Sequence, residues 1–136
     1  MTPTLLAAVL SRHSSIGNRL PDLRTLWLNG EVVTTSLSRQ ALKAMPKIRL
    51  LNVYSACETH EIACGDISKM IDDEATYVPV GPPIDPKHAY ILDEAGTKVE
   101  DGISGELFVG GPMLARGYIN RPETTCLLYT SPSPRD

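Results

Sequence analysis

The stretch that decides the fold starts at Arg24-Thr25-Leu26-Trp27-Leu28-Asn29-Gly30-Glu31, continues through Ser38-Arg39-Gln40-Ala41-Leu42-Lys43-Ala44-Met45-Pro46, and ends at Arg49-Leu50-Leu51-Asn52-Val53. Arg24 to Leu28 reads as a strand, and Ser38 to Met45 as a helix stopped by Pro46. Arg49 to Val53 reads as a second strand, dense in apolar residues as expected when both faces are covered. Strand, helix and strand within about thirty residues imply a parallel pair with a right-handed crossover. Upstream, Thr2-Pro3 is a helix start, because Thr can cap and Pro is tolerated at the first helical position; Leu5, Leu6, Val9 and Leu10 follow at helical spacing. That helix is expected to fade between Ser11 and Gly17.

Downstream the chain changes character near position 80. Seven of the ten glycines fall between Gly81 and Gly117, where hairpins replace the α/β alternation. His88 to Leu92 is expected to pair with Thr97 to Val99 across Asp93-Glu94-Ala95-Gly96, with Glu106 to Val109 after a further turn. The expected fold class is α/β: a parallel βαβ part over residues 1–80, then a small antiparallel β part over 81–125. The last eleven residues, Cys126-Leu-Leu-Tyr-Thr-Ser-Pro-Ser-Pro-Arg-Asp136, resemble the translation of a sequencing adapter. Residues 126–136 are therefore expected to be a non-native tail that interrupts a helix starting at Arg121-Pro122-Glu123.

Composition narrows the function classes. At 42% hydrophobic and 21% charged residues the chain is too apolar to be disordered. The longest aliphatic run, Leu5 to Leu10, is far short of the roughly 20 residues of a membrane helix, and no basic segment precedes it as in a signal peptide. A formal charge of −3 without a basic run argues against nucleic acid. Three cysteines at uneven spacing do not form a disulfide framework and fit a reducing compartment. A cytoplasmic location, without nucleic-acid or membrane partners, is expected.

Two polar clusters follow directly on the expected parallel strands: Asn29-Gly30-Glu31, and Asn52-Val53-Tyr54-Ser55-Ala56-Cys57-Glu58. In open α/β sheets ligands bind in the crevice beyond the carboxyl ends of the strands. The residue types suit a nucleotide. Asn52 offers an amide for a base edge, Tyr54 a ring to stack on it, Ser55 and Cys57 small polar groups, and Glu58 a hard oxygen ligand for Mg²⁺. Plainer readings exist for each: Asn52 as a turn cap, Tyr54 as core, Glu58 as a solvated loop charge. Cys57, His60 and Cys64, with His88, lack the paired Cys-x2-Cys spacing of a structural zinc site.

A third cluster is the most specific: Gly105-Glu106-Leu107, Gly110-Gly111, Ala115-Arg116-Gly117-Tyr118 and Arg121-Pro122-Glu123-x-Thr125. Together the three clusters resemble the central motifs of the adenylate-forming superfamily, which contains acyl-CoA synthetases, luciferases and nonribosomal peptide synthetase adenylation domains. The third looks like the long Gly-Glu-Leu to Arg-Pro-Glu signature. Asn52-x-Tyr54 with Glu58 resembles Asn-x-Tyr-Gly-x-Thr-Glu, Gly30-Glu31 the earlier Gly-Gly-Glu segment, and Val80-Gly81-Pro82-Pro83-Ile84 the Gly-x-Pro between them. The resemblance spans Met1 to Thr125. It implies an incomplete fragment of the large N-terminal core domain of such a ligase.

The reaction implied is two-step. A carboxylate attacks the α-phosphate of ATP, giving an acyl adenylate and pyrophosphate; the thiol of a phosphopantetheine arm on a carrier domain, or of coenzyme A, then takes the acyl group. By this resemblance Gly30-Glu31 lies against adenine, Asn52 reaches its amino edge, Tyr54 stacks on its face with Ser55 beside it, Cys57 touches the α-phosphate and Glu58 binds Mg²⁺. Arg116-Gly117-Tyr118 is expected to be architectural, with Arg116 in an ion pair. Ser55, Ala56 and Cys57 replace the usual glycine, proline and threonine, and a thiol donates more weakly than a hydroxyl.

Residues matching Trp27, Asn29, Val53, Glu61 and Ile62 line the acyl pocket in the family. Strand alternation puts Trp27 and Asn29 on one face, Leu26 and Leu28 on the other. A buried Glu61 would need a cationic partner, which favours an amino acid over a fatty acid as substrate; the segment Tyr54 to Glu58 also looks similar to that of β-alanyl amine synthases. The family's phosphate loop with its Lys, its Tyr-Arg-Thr-Gly-Asp segment and its lid-domain Lys have no counterpart here. The isolated chain is expected to be inactive. The alternative is a stand-alone, non-catalytic nucleotide-binding or structural α/β domain.

Overall fold

A computed structural model describes residues 1–85 and 88–129. In chain order the elements are helices α1 (Pro3–Arg12) and α2 (Ile16–Arg19), strand β1 (Thr25–Asn29), helix α3 (Thr35–Ala44), strands β2 (Arg49–Ala56) and β3 (His60–Asp66), a 3-10 turn (Ile67–Lys69), strands β4 (Ala89–Leu92) and β5 (Glu106–Val109), and helix α4 (Pro122–Tyr129). They group into two compact units, one of Met1–Ser55 with Glu61–Ile84, the other of Ala56–His60 with the described part of Asp85–Asp136.

In the first unit β1 and β2 are parallel, in register from Thr25 opposite Arg49 to Asn29 opposite Val53. Paired residues of parallel strands share a face, so Leu28 and Leu50 project together and are fully buried against Leu6 and Leu10 of α1 and Leu37 and Ala41 of α3. Each such leucine contributes roughly 1.5–3 kcal/mol of burial free energy. Trp27, Asn29, Leu51 and Val53 share the opposite face.

The Thr2 hydroxyl accepts from Leu5 N at 3.3 Å and Pro3 opens α1, as the sequence suggests. Past Arg12 the chain makes a further helical turn, α2, before β1. α3 begins at Thr35 rather than Ser38, because the Thr34 hydroxyl accepts from Leu37 N at 3.2 Å. Ser38, fully buried, instead donates its hydroxyl to Thr34 O at 2.9 Å, already inside the helix.

The second strand is longer than expected, and a third was not anticipated. β2 continues to Ala56, so Tyr54 and Ser55 lie in the strand rather than in a loop beyond it. β3 lies beside β2 in the sheet order β1-β2-β3. The connection Cys57-Glu58-Thr59 is too short for a parallel crossover, so β3 is antiparallel to β2 and the sheet is mixed. β3 also receives residues 82–84: Cys64 N donates to Pro82 O (3.1 Å) and Ile84 N to Ile62 O (2.9 Å). Between them Gly65 and Gly81 pass so closely that a Cβ on Gly81 would lie 2.5 Å from Gly65 Cα.

In the second unit β4 pairs with β5, from Ala89 opposite Val109 to Leu92 opposite Glu106. The expected hairpin partner, Thr97 to Val99, contributes a bridge between Leu92 and Lys98 and the bonds from Asp93 N to Thr97 O at 2.9 Å and from Val99 N to Ile91 O at 3.0 Å, but no strand of its own. The Asp93 carboxylate accepts from Ala95 N (2.9 Å) and Thr97 N (2.8 Å), which turns the chain tightly but leaves too few residues for a full strand. Nor does Cys126 interrupt the last helix: α4 continues through it to Tyr129. The rest of the expected tail, 130–136, lies outside the described residues.

Candidate functional site

Within the first unit, the carboxyl ends of β1 and β2 bring Asn29 and Ser55 together. Asn29 Nδ2 donates to Ser55 Oγ at 3.1 Å, and Ser55 Oγ donates to Asn29 Oδ1 at 3.2 Å. One register step away, on the opposite face of β2, Tyr54 is 42% exposed at the sheet's end, although its neighbours Asn52 and Val53 are buried. A half-exposed ring near the carboxyl end of the central strand is available to stack on a flat ligand. Gly30 follows β1 with φ +86°, and a Cβ there would meet nothing nearer than Thr2 Cγ2 at 3.9 Å. Conformation rather than crowding thus calls for glycine here.

Glu31 is engaged with protein. Its Oε2 accepts from Thr4 N (2.9 Å) and Thr4 Oγ1 (2.5 Å) in the first turn of α1. The hydroxyl of Thr4 and then its backbone N–H hold the carboxyl below the usual glutamate range. A group depressed in this way stabilises the fold fully above its unfolded pKa of about 4.3, and loses that contribution as pH falls through the lower native value. Glu31→Gln is therefore expected to lower the urea midpoint at about pH 7, with the gap to the unsubstituted protein closing toward about pH 3. Denaturation series at the two pH values measure this.

Asn52 is 4% exposed, and Nδ2 donates to Val78 O (3.2 Å) and Pro79 O (3.0 Å). Those bonds tie β2 to residues 78–79, so the part of Asn52 that can take a base's amino group is Oδ1, the acceptor. Of the residues matched to an acyl pocket, Val53 and Ile62 are buried while Trp27 is 52% exposed beside Asn29. Glu61 is exposed, which removes the argument for a buried carboxylate there. It precedes two consecutive buried residues, Ile62 and Ala63, in a strand that was not anticipated.

Within the second unit, Cys57 is exposed and Glu58 half-buried in the turn after β2. The Tyr118 hydroxyl donates to Glu58 Oε1, and Ala115 N donates to Glu58 O at 2.7 Å. The phenol's hydrogen bond holds the Glu58 carboxyl below its ordinary range, and the Tyr118 hydroxyl is pushed up to about 12 mainly by the same bond. Glu58 is thus ionised at neutral pH. An ionised carboxylate fits Mg²⁺, which is usually held by one or two carboxylates together with substrate phosphates and water. Sequence reasoning treated Tyr118 as architectural; its partner lies 60 residues away, a separation no local pattern encodes. The ion pair expected of Arg116 is not found: the side chain is exposed and forms none with any described residue. Among the described residues no three His, Cys, Asp or Glu side chains gather to hold a metal. No helix among them is long and apolar enough to cross a membrane.

A parallel strand pair with polar residues at its carboxyl ends is the kind of place where open α/β sheets bind ligands. Comparison narrows the class: a family model described as AMP-binding enzyme matches residues 1–119, and the chain belongs to that family. It is 73% identical over 129 residues to glycine betaine reductase ATRR of Emericella nidulans, covering 95% of this chain and 10% of that protein. It is 32% identical over 125 residues to a D-alanine--D-alanyl carrier protein ligase of Streptococcus equi subsp. equi, covering 91% of this chain and 24% of that one. The nonribosomal peptide synthetase FmoA3 bound to α-methyl-L-serine-AMP superposes with a TM-score of 0.80 at 29% identity, over 92% of this chain and 14% of that one. The chain therefore spans between about a tenth and a quarter of the length of these three proteins.

Proposed function

We propose that this chain is the core part of an ATP-dependent ligase that converts a small carboxylate to its acyl adenylate and passes it to a thiol, on a phosphopantetheine arm of a carrier domain or on coenzyme A. Residues 1–80 form its α/β part and 81–125 its β-rich part. The observation that carries the reading is that Asn52 to Ala56 ends a strand parallel to β1, with Cys57 and Glu58 directly after it, in a chain of the AMP-binding family. In the first step a carboxylate oxygen bonds to the α-phosphorus of ATP while the bond to the departing pyrophosphate breaks. Such a displacement needs positioning and charge neutralisation more than covalent help from the protein.

The chain's residues divide that work. Gly30-Glu31 offers backbone against the adenine edge, Asn52 its amide oxygen to the amino group, and Tyr54 its ring to the base, with Ser55 beside it. Cys57 offers its thiol to the α-phosphate. Glu58 would hold Mg²⁺, whose contribution when bound is to neutralise phosphate charge. Trp27, Asn29, Val53, Glu61 and Ile62 line the acyl side.

The substrate class we favour is a small carboxylate bearing a cationic nitrogen. The relatives named above are named for glycine betaine, D-alanine and an α-methyl-serine adenylate. Trp27, half-exposed on the pocket face, supplies an aromatic surface of the kind that receives ammonium groups. ATP–pyrophosphate exchange with a panel of carboxylates tests this. The full-length protein is expected to turn over with glycine betaine or a small amino acid and not with a fatty acid, and the isolated 136-residue chain with none of them. Fatty-acid-dependent exchange would overturn the substrate class, and exchange by the isolated chain would overturn the reading of these residues as only part of the ligase.

A further inference from the structure

Tyr118 is held more firmly than a space-filling ring requires. Its backbone N donates to Thr125 Oγ1 at 2.9 Å, and Thr125 Oγ1 donates to Arg121 O at 3.0 Å. The preceding residue, Gly117, has φ +135°, and a Cβ there would lie 2.5 Å from Thr125 Cγ2. Only glycine lets the chain pass close enough for these bonds. Two residues before that, Ala115 N fixes the Glu58 carbonyl at 2.7 Å. Backbone and side chain of Glu58 are therefore both gripped by one four-residue segment, 115–118, anchored in turn on α4. An architectural ring would need neither the hydroxyl nor its aim at the carboxylate.

We infer that Tyr118 is a positioning residue for Glu58: its hydroxyl confines the carboxylate to one orientation and so presents it ready to bind the divalent cation. The inference rests on the reading of Glu58 as the Mg²⁺ ligand. Partners of this kind, one bond removed from the metal, typically change metal affinity by about 10–100-fold when removed. A ligand free to rotate must be ordered at the moment of binding; one already held by a hydrogen bond has lost that freedom on folding.

The test is a titration of the full-length protein with Mn²⁺, followed by electron paramagnetic resonance, in the presence of a non-hydrolysable ATP analogue. Four proteins are compared: unsubstituted, Tyr118→Phe, Glu58→Gln and the double variant. Tyr118→Phe is expected to weaken Mn²⁺ binding about 10–100-fold, with no further loss when Glu58→Gln is already present, because Tyr118 acts through that carboxylate. Mn²⁺ affinity within twofold of the unsubstituted protein for Tyr118→Phe, or losses that multiply in the double variant, would overturn the inference while leaving Glu58 as ligand. Unchanged affinity for Glu58→Gln would instead overturn the reading beneath it. Circular dichroism of each variant at the titration temperature gives its folded fraction, and the apparent Mn²⁺ affinity is corrected by that fraction before the variants are compared. As a second readout, Tyr118→Phe should raise the KM for Mg²⁺ in exchange and leave the KM for the carboxylate within twofold.

Discussion

Glu58→Gln in the full-length protein is expected to reduce kcat for adenylate formation by about 10²–10³-fold, the range found when one preorganised group that stabilises transition-state charge is removed. Glutamine has the same shape, and its amide oxygen can still accept the bond that Tyr118 donates. What it lacks is the charge. Glu58 is half-buried and its carboxyl is held below the ordinary range by the Tyr118 hydroxyl, so the native side chain is ionised at neutral pH. The substitution therefore removes one negative charge and little else. The KM for the carboxylate substrate should stay within about twofold, because a group used only on the phosphate side does not bind the acyl side. ATP–pyrophosphate exchange at saturating Mg²⁺ gives both constants. Activity within about fivefold of the unsubstituted protein would show that Glu58 does not face developing charge.

Gly81→Ala is expected to destabilise the first unit by about 3 kcal/mol or more, through two effects that act together. Gly81 sits at φ +87°, where a Cβ is strained whatever the space. The space is also missing: the added atom would lie 2.5 Å from Gly65 Cα and 2.9 Å from Cys64 C, both backbone atoms that no side-chain rotation can move. Relief requires β3 to separate from residues 82–84 and so loses the bonds Cys64 N to Pro82 O and Ile84 N to Ile62 O. With a urea dependence of about 1–3 kcal/mol per molar, the midpoint should fall by at least about 1 M. Gly96→Ala is the matched control: it too has positive φ, at +78°, but nothing lies within 4 Å of the added Cβ. A smaller effect at position 81 than at 96 would contradict the account of the crossing.

The parts of the fold legible in sequence were those with a local cause. Thr2-Pro3 starts α1 because a hydroxyl and a fixed φ act within one turn. The parallel β1–β2 pair followed from two apolar runs and a helix between them. β3 was hidden because His60-Glu-Ile-Ala-Cys-Gly-Asp66 carries only two apolar residues in its buried middle, and its partners come from β2 and from residues 82–84, which no short window contains. Without β3 the second strand ends at Val53 instead of Ala56, and the side that Glu61 faces stays open. The expected pairing of His88 to Leu92 with Thr97 to Val99 forms in part, at Leu92 with Lys98 and Ile91 with Val99, while β4 takes its full-length partner from β5.

The site was legible as residue types and only partly as contacts. The polar groups Asn29, Glu31, Asn52, Ser55 and Glu58 lie in or just after β1 and β2. The partners of three of them were not visible: Glu31 with Thr4, Asn52 with Val78 and Pro79, and Glu58 with Tyr118. Each pair joins residues at least 26 positions apart, and each combines common residue types, so nothing in the sequence distinguishes partner from bystander.

The most direct test of the central claim is the fate of ATP. The full-length protein is incubated with ATP, Mg²⁺, glycine betaine or a small amino acid, and hydroxylamine to trap the activated carboxylate, and the products are separated by mass. Attack at the α-phosphorus requires AMP and pyrophosphate to form in equal amounts with the acyl hydroxamate, and that is the result this account predicts. ADP and inorganic phosphate in place of AMP and pyrophosphate, with the hydroxamate still formed, would mean that the carboxylate is activated at the γ-phosphorus and would contradict it.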